Sequence, residues 1–177
     1  MTIHNAVSAS ITNFDASPAV GNAAGYGGAG LLAEADDYVT VPASAAAGSV
    51  FRILRLRSNV ILKSLVFASE AQTAGKVELG AYYPNDARYV AGGSGLETGA
   101  AISAVCFSGD IDCASAVVPT EKILAALTMD KLKMPLWQAV GLSSDPGGYI
   151  DICATVHTTD VTTGTGKLGL TAKFIAP

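Results

Sequence analysis

A chain that does proton or nucleophile chemistry at neutral pH needs a base, and histidine is the side chain whose ordinary pKa lies nearest that range. Two are present, His4 and His157. A serine, histidine and aspartate set can be drawn from Ser143, His157 and Asp151, but no Gly-x-Ser-x-Gly elbow frames the serine. His157 therefore reads as a strand histidine, exposed or hydrogen-bonded. Asp110 and Asp112 flank Ile111 and offer two carboxylates, yet the further spaced oxygen ligands of a calcium loop are missing. That pair reads as a solvated turn. Gly25 to Gly30 is glycine-rich, but no strand precedes it and no Gly-Lys-Ser/Thr follows, so it does not read as a phosphate cradle. Cys106, Cys113 and Cys153 are too few and too scattered for a disulfide framework or a paired zinc motif, and they read as small buried apolar side chains. The expectation is a chain with no catalytic, cofactor-binding or metal-binding residues, and hence not an enzyme.

Composition agrees. Only 15% of the 177 residues are charged, against roughly 25% in an average soluble domain, and mean hydropathy is +0.39. So weakly charged a surface suits contact with other protein. The net charge of -4 supplies no basic field for nucleic acid. The opening Met-Thr-Ile-His-Asn has neither the cationic nor the apolar segment of a secretory signal. The charge-free stretch from Ala16 to Ala33 is interrupted by Pro18, Asn22 and five glycines, which a membrane helix tolerates poorly.

The elements that would carry these residues are mostly strands. Residues 1–35 show no sustained period and read as an N-terminal arm, with residues 36–177 as one β-sandwich domain. Tyr38 to Val41 reads as a first strand. Val50 to Arg57 and Val60 to Ala68, parted by Ser58 and Asn59, read as a hairpin. Lys76 to Tyr83 alternates cleanly, with Val77, Leu79, Ala81 and Tyr83 on one face. Ile102 to Ala116 reads as a short helix or irregular. Glu121 to Leu127 and Pro135 to Leu142 suit short helices, and Tyr149 to Thr158 with Lys167 to Ile175 suits a closing hairpin. Many short strands with few helices predict an antiparallel β-sandwich or jelly-roll-like domain with one or two short helices and an extended N-terminal arm.

Three arginines stand in one apolar strand, Phe51-Arg52-Ile53-Leu54-Arg55-Leu56-Arg57. Simple alternation places Arg55 and Arg57 on one face and Arg52 on the other. They read as edge-strand arginines paired with acids such as Glu70 or Glu78, or as an inter-subunit contact.

The run from Val50 to Leu65, with its hydrophobic-arginine alternation followed by Ser58-Asn59, resembles small virion structural proteins of tailed bacteriophages. Val77 to Tyr83, Leu136 to Pro146 and the segments Tyr149 to Ile152 and Leu168 to Leu170 continue the likeness, which leaves the arm uncovered. The resemblance implies a capsid decoration (cement) protein on the outer surface of the phage head, made in the host cytoplasm. Its partner would be the major capsid protein, together with copies of itself in a symmetric oligomer such as a trimer. Nucleic acid, membrane and small-molecule substrates are not expected as partners. The rival reading is a head-fibre or tail component that binds host-surface glycans, for which open tryptophan or tyrosine faces would be the mark.

Overall fold

The computed structural model describes residues 31–41, 45–72, 75–84, 99–157 and 166–176. Among these residues eight strands form two four-stranded sheets. Sheet I has the order β1 (Leu31–Thr40), β8 (Lys167–Ala176), β3 (Ile61–Ser69), β6 (Val117–Glu121). Sheet II has the order β2 (Val50–Arg57), β7 (Tyr149–Val156), β4 (Lys76–Tyr82), β5 (Ala101–Asp112). Every pairing is antiparallel. The expected β-sandwich is the fold.

Alternating apolar residues from both sheets meet between them. Leu65 and Phe67 of β3 and Leu168, Leu170 and Ala172 of β8 are buried against Leu79 and Ala81 of β4 and Ile150, Ile152 and Ala154 of β7. Among the described residues helical structure is confined to single turns: α1 (Ile123–Ala126), a 3-10 turn (Lys131–Lys133) and α2 (Leu136–Ala139). Pro135, with its fixed φ, precedes α2, and Gly141 follows it at φ 101°, where a glycine is at ease.

The two expected hairpins are corrected. β2 lies in sheet II and β3 in sheet I, and β7 and β8 are divided in the same way. Ser58 and Asn59 thus form a corner between sheets. Its polar groups are satisfied from other segments: Ser58 N–H donates to Gly148 O at 3.0 Å, Ser58 Oγ donates to Asp145 Oδ1 at 2.6 Å, and Trp137 N–H donates to Ser58 O at 3.0 Å. A hairpin turn would have left buried Ser58 with fewer partners.

Two further segments depart from expectation. Most of the stretch Ile102 to Ala116, read as a short helix or irregular, belongs to β5 (Ala101–Asp112), the longest strand among the described residues. Its alternation is broken because its register against β4 slips repeatedly: Leu79 faces Ser108, whereas Ala81 faces Ser103. The extra β5 residues bow out over Gly80. β1 begins at Leu31, so residues 31–35, read as the end of the arm, are strand paired with Ala172 to Ala176 of β8. The strand was hidden because most of β1 is exposed on both faces and shows no apolar period. The rest of the arm, residues 1–30, lies outside the described residues.

Candidate functional site

The outer face of sheet II, away from the core, holds a polar layer. On β7, Asp151, Cys153 and Thr155 point outward yet are buried. The Asp151 carboxylate, 1% exposed, accepts from Arg52 Nη1 at 2.9 Å, Arg55 Nε at 2.6 Å and Arg55 Nη2 at 2.8 Å. Arg52 also donates to Tyr83 O at 3.0 Å and Gly99 O at 2.9 Å, so one guanidinium ties both ends of the connection between β4 and β5 to the face of the sheet. Thr155 Oγ1 and Tyr82 Oη share a hydrogen bond at 2.7 Å.

The arginines are arranged differently from expectation. A register shift between Arg52 and Leu54 makes Ile53 an extra residue, and this bulge brings Arg52 and Arg55 to the same face. Arg57 instead lies over the Tyr149 ring, 6.0 Å from its centre. The partner acid is Asp151. Glu70 accepts from Lys167 N at 3.0 Å and Glu78 faces His157. The edge-strand position of β2 is as expected.

The serine, histidine and aspartate set is not assembled, since Asp151 is occupied by the arginines and His157 is held elsewhere. His157, just beyond β7, has Nδ1 2.6 Å from Asp110 Oδ1 and Nε2 3.2 Å from Glu78 Oε1. Asp110 has a positive φ of 48°, and Lys76 Nζ sits 3.7 Å from its other oxygen. The His157 hydrogen bond, then the Lys76 charge, hold the Asp110 carboxyl below its usual pKa. Asp112 is turned away, accepting from Ala114 N at 2.8 Å; the stretch expected as a solvated turn is instead the end of strand β5, where the two acids are exposed and have separate partners. The cluster of Glu78, Asp110 and His157 comes from three strand regions remote in sequence, which is why spacing did not reveal it. His4 and Gly25 to Gly30 lie outside the described residues.

The cysteines behave as small apolar groups. Cys113 and Cys153 are buried and Cys106 is half-buried, all as free thiols. Burial pushes the Cys106 and Cys153 thiols up to about 12 and raises Cys113 as well. Since the thiolate is the reactive form, alkylation of the native protein at mildly alkaline pH should be slow at all three positions and become fast after unfolding. Mass spectrometry of labelled peptides reads this directly, and rapid labelling of Cys153 in folded protein would contradict the burial.

The edges of the sandwich present apolar side chains to solvent. On β1, Leu31 and Leu32 are 81% and 69% exposed, and Tyr38 is exposed under Lys167 Nζ, 4.6 Å from its ring centre. At the opposite edge, Val118 of β6 is 73% exposed, with Met129 at 74% between α1 and the 3-10 turn. The single tryptophan, Trp137, packs partly against the core. Among the described residues no helix is long and apolar enough to cross a membrane.

Neither family models nor curated protein sequences provide a match to this chain. Solved structures do. A chain of the cyanophage Pam1 capsid asymmetric unit aligns over 92% of this chain and 96% of its own length, with a TM-score of 0.53 at 13% identity. A chain of the capsid of Ralstonia phage GP4 aligns over 89% of each at 16% identity, with a TM-score of 0.48. At 13% identity the Pam1 likeness shows a shared fold, and it extends across nearly the whole of both chains.

Proposed function

We propose that this chain is a virion structural protein of a tailed bacteriophage, and specifically a decoration protein that binds the assembled head and bridges subunits of the major capsid protein. The observation that carries the reading is the fold shared with a phage capsid chain along almost the entire length of both. The sequence resemblance points the same way independently. The exposed apolar residues at the two edges, Leu31, Leu32, Val118 and Met129, supply surface for protein contact, either with the shell or with further copies in a symmetric oligomer such as a trimer. The dismantled serine, histidine and aspartate set supports a role without catalysis. Against the glycan-binding reading, cations cover a face of Tyr38 and of Tyr149, and Trp137 is committed to packing.

In this reading residues 1–30 are the arm that docks on a neighbour. Ile3, Val7, Ile11 and Phe14 give it apolar anchors, and repeated small contacts across a lattice add through effective concentration. Because β1 begins at Leu31, the informative truncation ends at residue 30. The truncated protein should fold as the intact sandwich, by circular dichroism and thermal melting, while its cosedimentation with capsids lacking the protein weakens several-fold. Undiminished binding would remove the arm from the contact. Loss of the fold would make residues 1–30 part of the domain.

A further inference from the structure

We propose that the outer face of sheet II carries a site for a zinc-class divalent cation, with His157 Nε2 and Glu78 Oε1 as its protein ligands and Asp110 as the carboxylate that orients the imidazole. The geometry comes first. Zinc holds nitrogen and carboxylate oxygen at about 2.0–2.2 Å, and tetrahedral angles then place two such ligands roughly 3.3 Å apart. Nε2 and Oε1 are 3.2 Å apart. On the other side of the ring, Asp110 Oδ1 lies 2.6 Å from Nδ1, a hydrogen-bond distance too short for a second pair of ligands on one metal.

The two contacts thus divide the labour of a carboxylate, histidine and zinc arrangement. Asp110 Oδ1 accepts a hydrogen bond from Nδ1–H, which fixes the tautomer. The lone pair of Nε2 is then aimed at a carboxylate oxygen, and two acceptors facing each other at this distance repel unless an electrophile lies between them. A zinc ion meets that need, and so does a proton, which is the competing occupant.

The supports of the site suit a resident ion. Glu78 stands on β4, flanked by β7 and β5, and is only 14% exposed. His157 is anchored by its own N–H, which donates to Lys76 O at 2.9 Å. Lys76 Nζ pairs with Asp110 Oδ2 and leaves Oδ1 to the imidazole. Asp110 and His157 remain open to solvent, so water fills the other coordination positions. One imidazole nitrogen and one carboxylate oxygen favour zinc, cobalt or nickel over calcium and magnesium, which require many oxygen ligands.

The test is titration of metal-free full-length protein with zinc chloride, by calorimetry and by nitrogen-15 NMR of the His157 ring. The expected result is one zinc per chain, with the Nε2 resonance moving to its metal-bound position while Nδ1 stays protonated. Binding should be lost in His157→Ala and Glu78→Gln, fall about tenfold in Asp110→Asn, and persist in His4→Ala. Zinc uptake that survives His157→Ala would overturn the proposal. So would a wild-type Nε2 that stays protonated at saturating zinc, a readout that does not depend on how any variant folds. In that case the cluster is an imidazolium clasp between two carboxylates.

Discussion

Replacing Asp151 with asparagine is expected to lower the unfolding free energy by about 2–4 kcal/mol. The carboxylate is 1% exposed and holds two guanidinium groups. Removing one partner of a buried ion pair costs about 3–5 kcal/mol, because the remaining charge stays desolvated and unpaired. Here the arginine side chains are 22% and 30% exposed, so water recovers part of that and the lower range applies. Two like charges would also be left facing one amide. The consequence should spread to the connection between β4 and β5, since Arg52 ties Tyr83 O and Gly99 O only while Asp151 holds it in place. Urea unfolding reads the stability, and amide exchange at Tyr83 and Gly99, whose N–H groups donate to Ala100 O and Pro84 O, reads the loosening. A loss below about 1 kcal/mol, the range of a surface pair, would show that the arginines are effectively solvated.

Gly80→Ala is expected to be the second most damaging change, at about 1–3 kcal/mol despite adding a single methyl group. A Cβ at Gly80 would lie 2.3 Å from Ala104 O and 2.4 Å from Ser103 O, both backbone atoms of the bowed stretch of β5. No rotamer change relieves that contact. The strand itself would have to lift from β4, opening the layer that contains Cys106 and Tyr82. The denaturation midpoint measures the cost, and enhanced alkylation of Cys106 would mark where it falls. Gly169→Ala is the natural control, since a Cβ there meets its nearest neighbours at 3.8 Å. Equal stability of the two variants would mean that β5 does not cross Gly80 as described.

Much of the fold was legible in single strands and little of it in their pairing. Val77, Leu79 and Ala81 alternate with outward residues along β4, and Leu168, Leu170 and Ala172 do so along β8, because each strand buries one face on the core. Period alone carries no information on which sheet a strand joins. The corner at Ser58 has the composition of a hairpin turn, and only its partners Gly148, Asp145 and Trp137, remote in sequence, turn it between sheets. β5 was missed for a different reason. Its bow over Gly80 breaks the alternation that identifies strands.

The polar layer and the His157 cluster were hidden by the same physics. Arg52 and Arg55 are three apart, a spacing that alternation assigns to opposite faces, until the bulge at Ile53 restores them to one. Asp151 entered the serine, histidine and aspartate set by residue type alone, and its buried carboxylate is committed to Arg52 and Arg55. Glu78, Asp110 and His157 stand on or beside three strands, and their meeting follows from the order β7, β4, β5. What the residues did convey was negative in kind, the lack of a nucleophile frame and of a basic field.

Electron microscopy of the native phage particle, at a resolution that separates strands, tests the central claim most directly. The account predicts one β-sandwich density per binding position on the outer face of the shell, astride neighbouring major capsid protein subunits, with a β1 or β6 edge at the contact. A particle in which this chain appears only at the tail, or not at all, would contradict it.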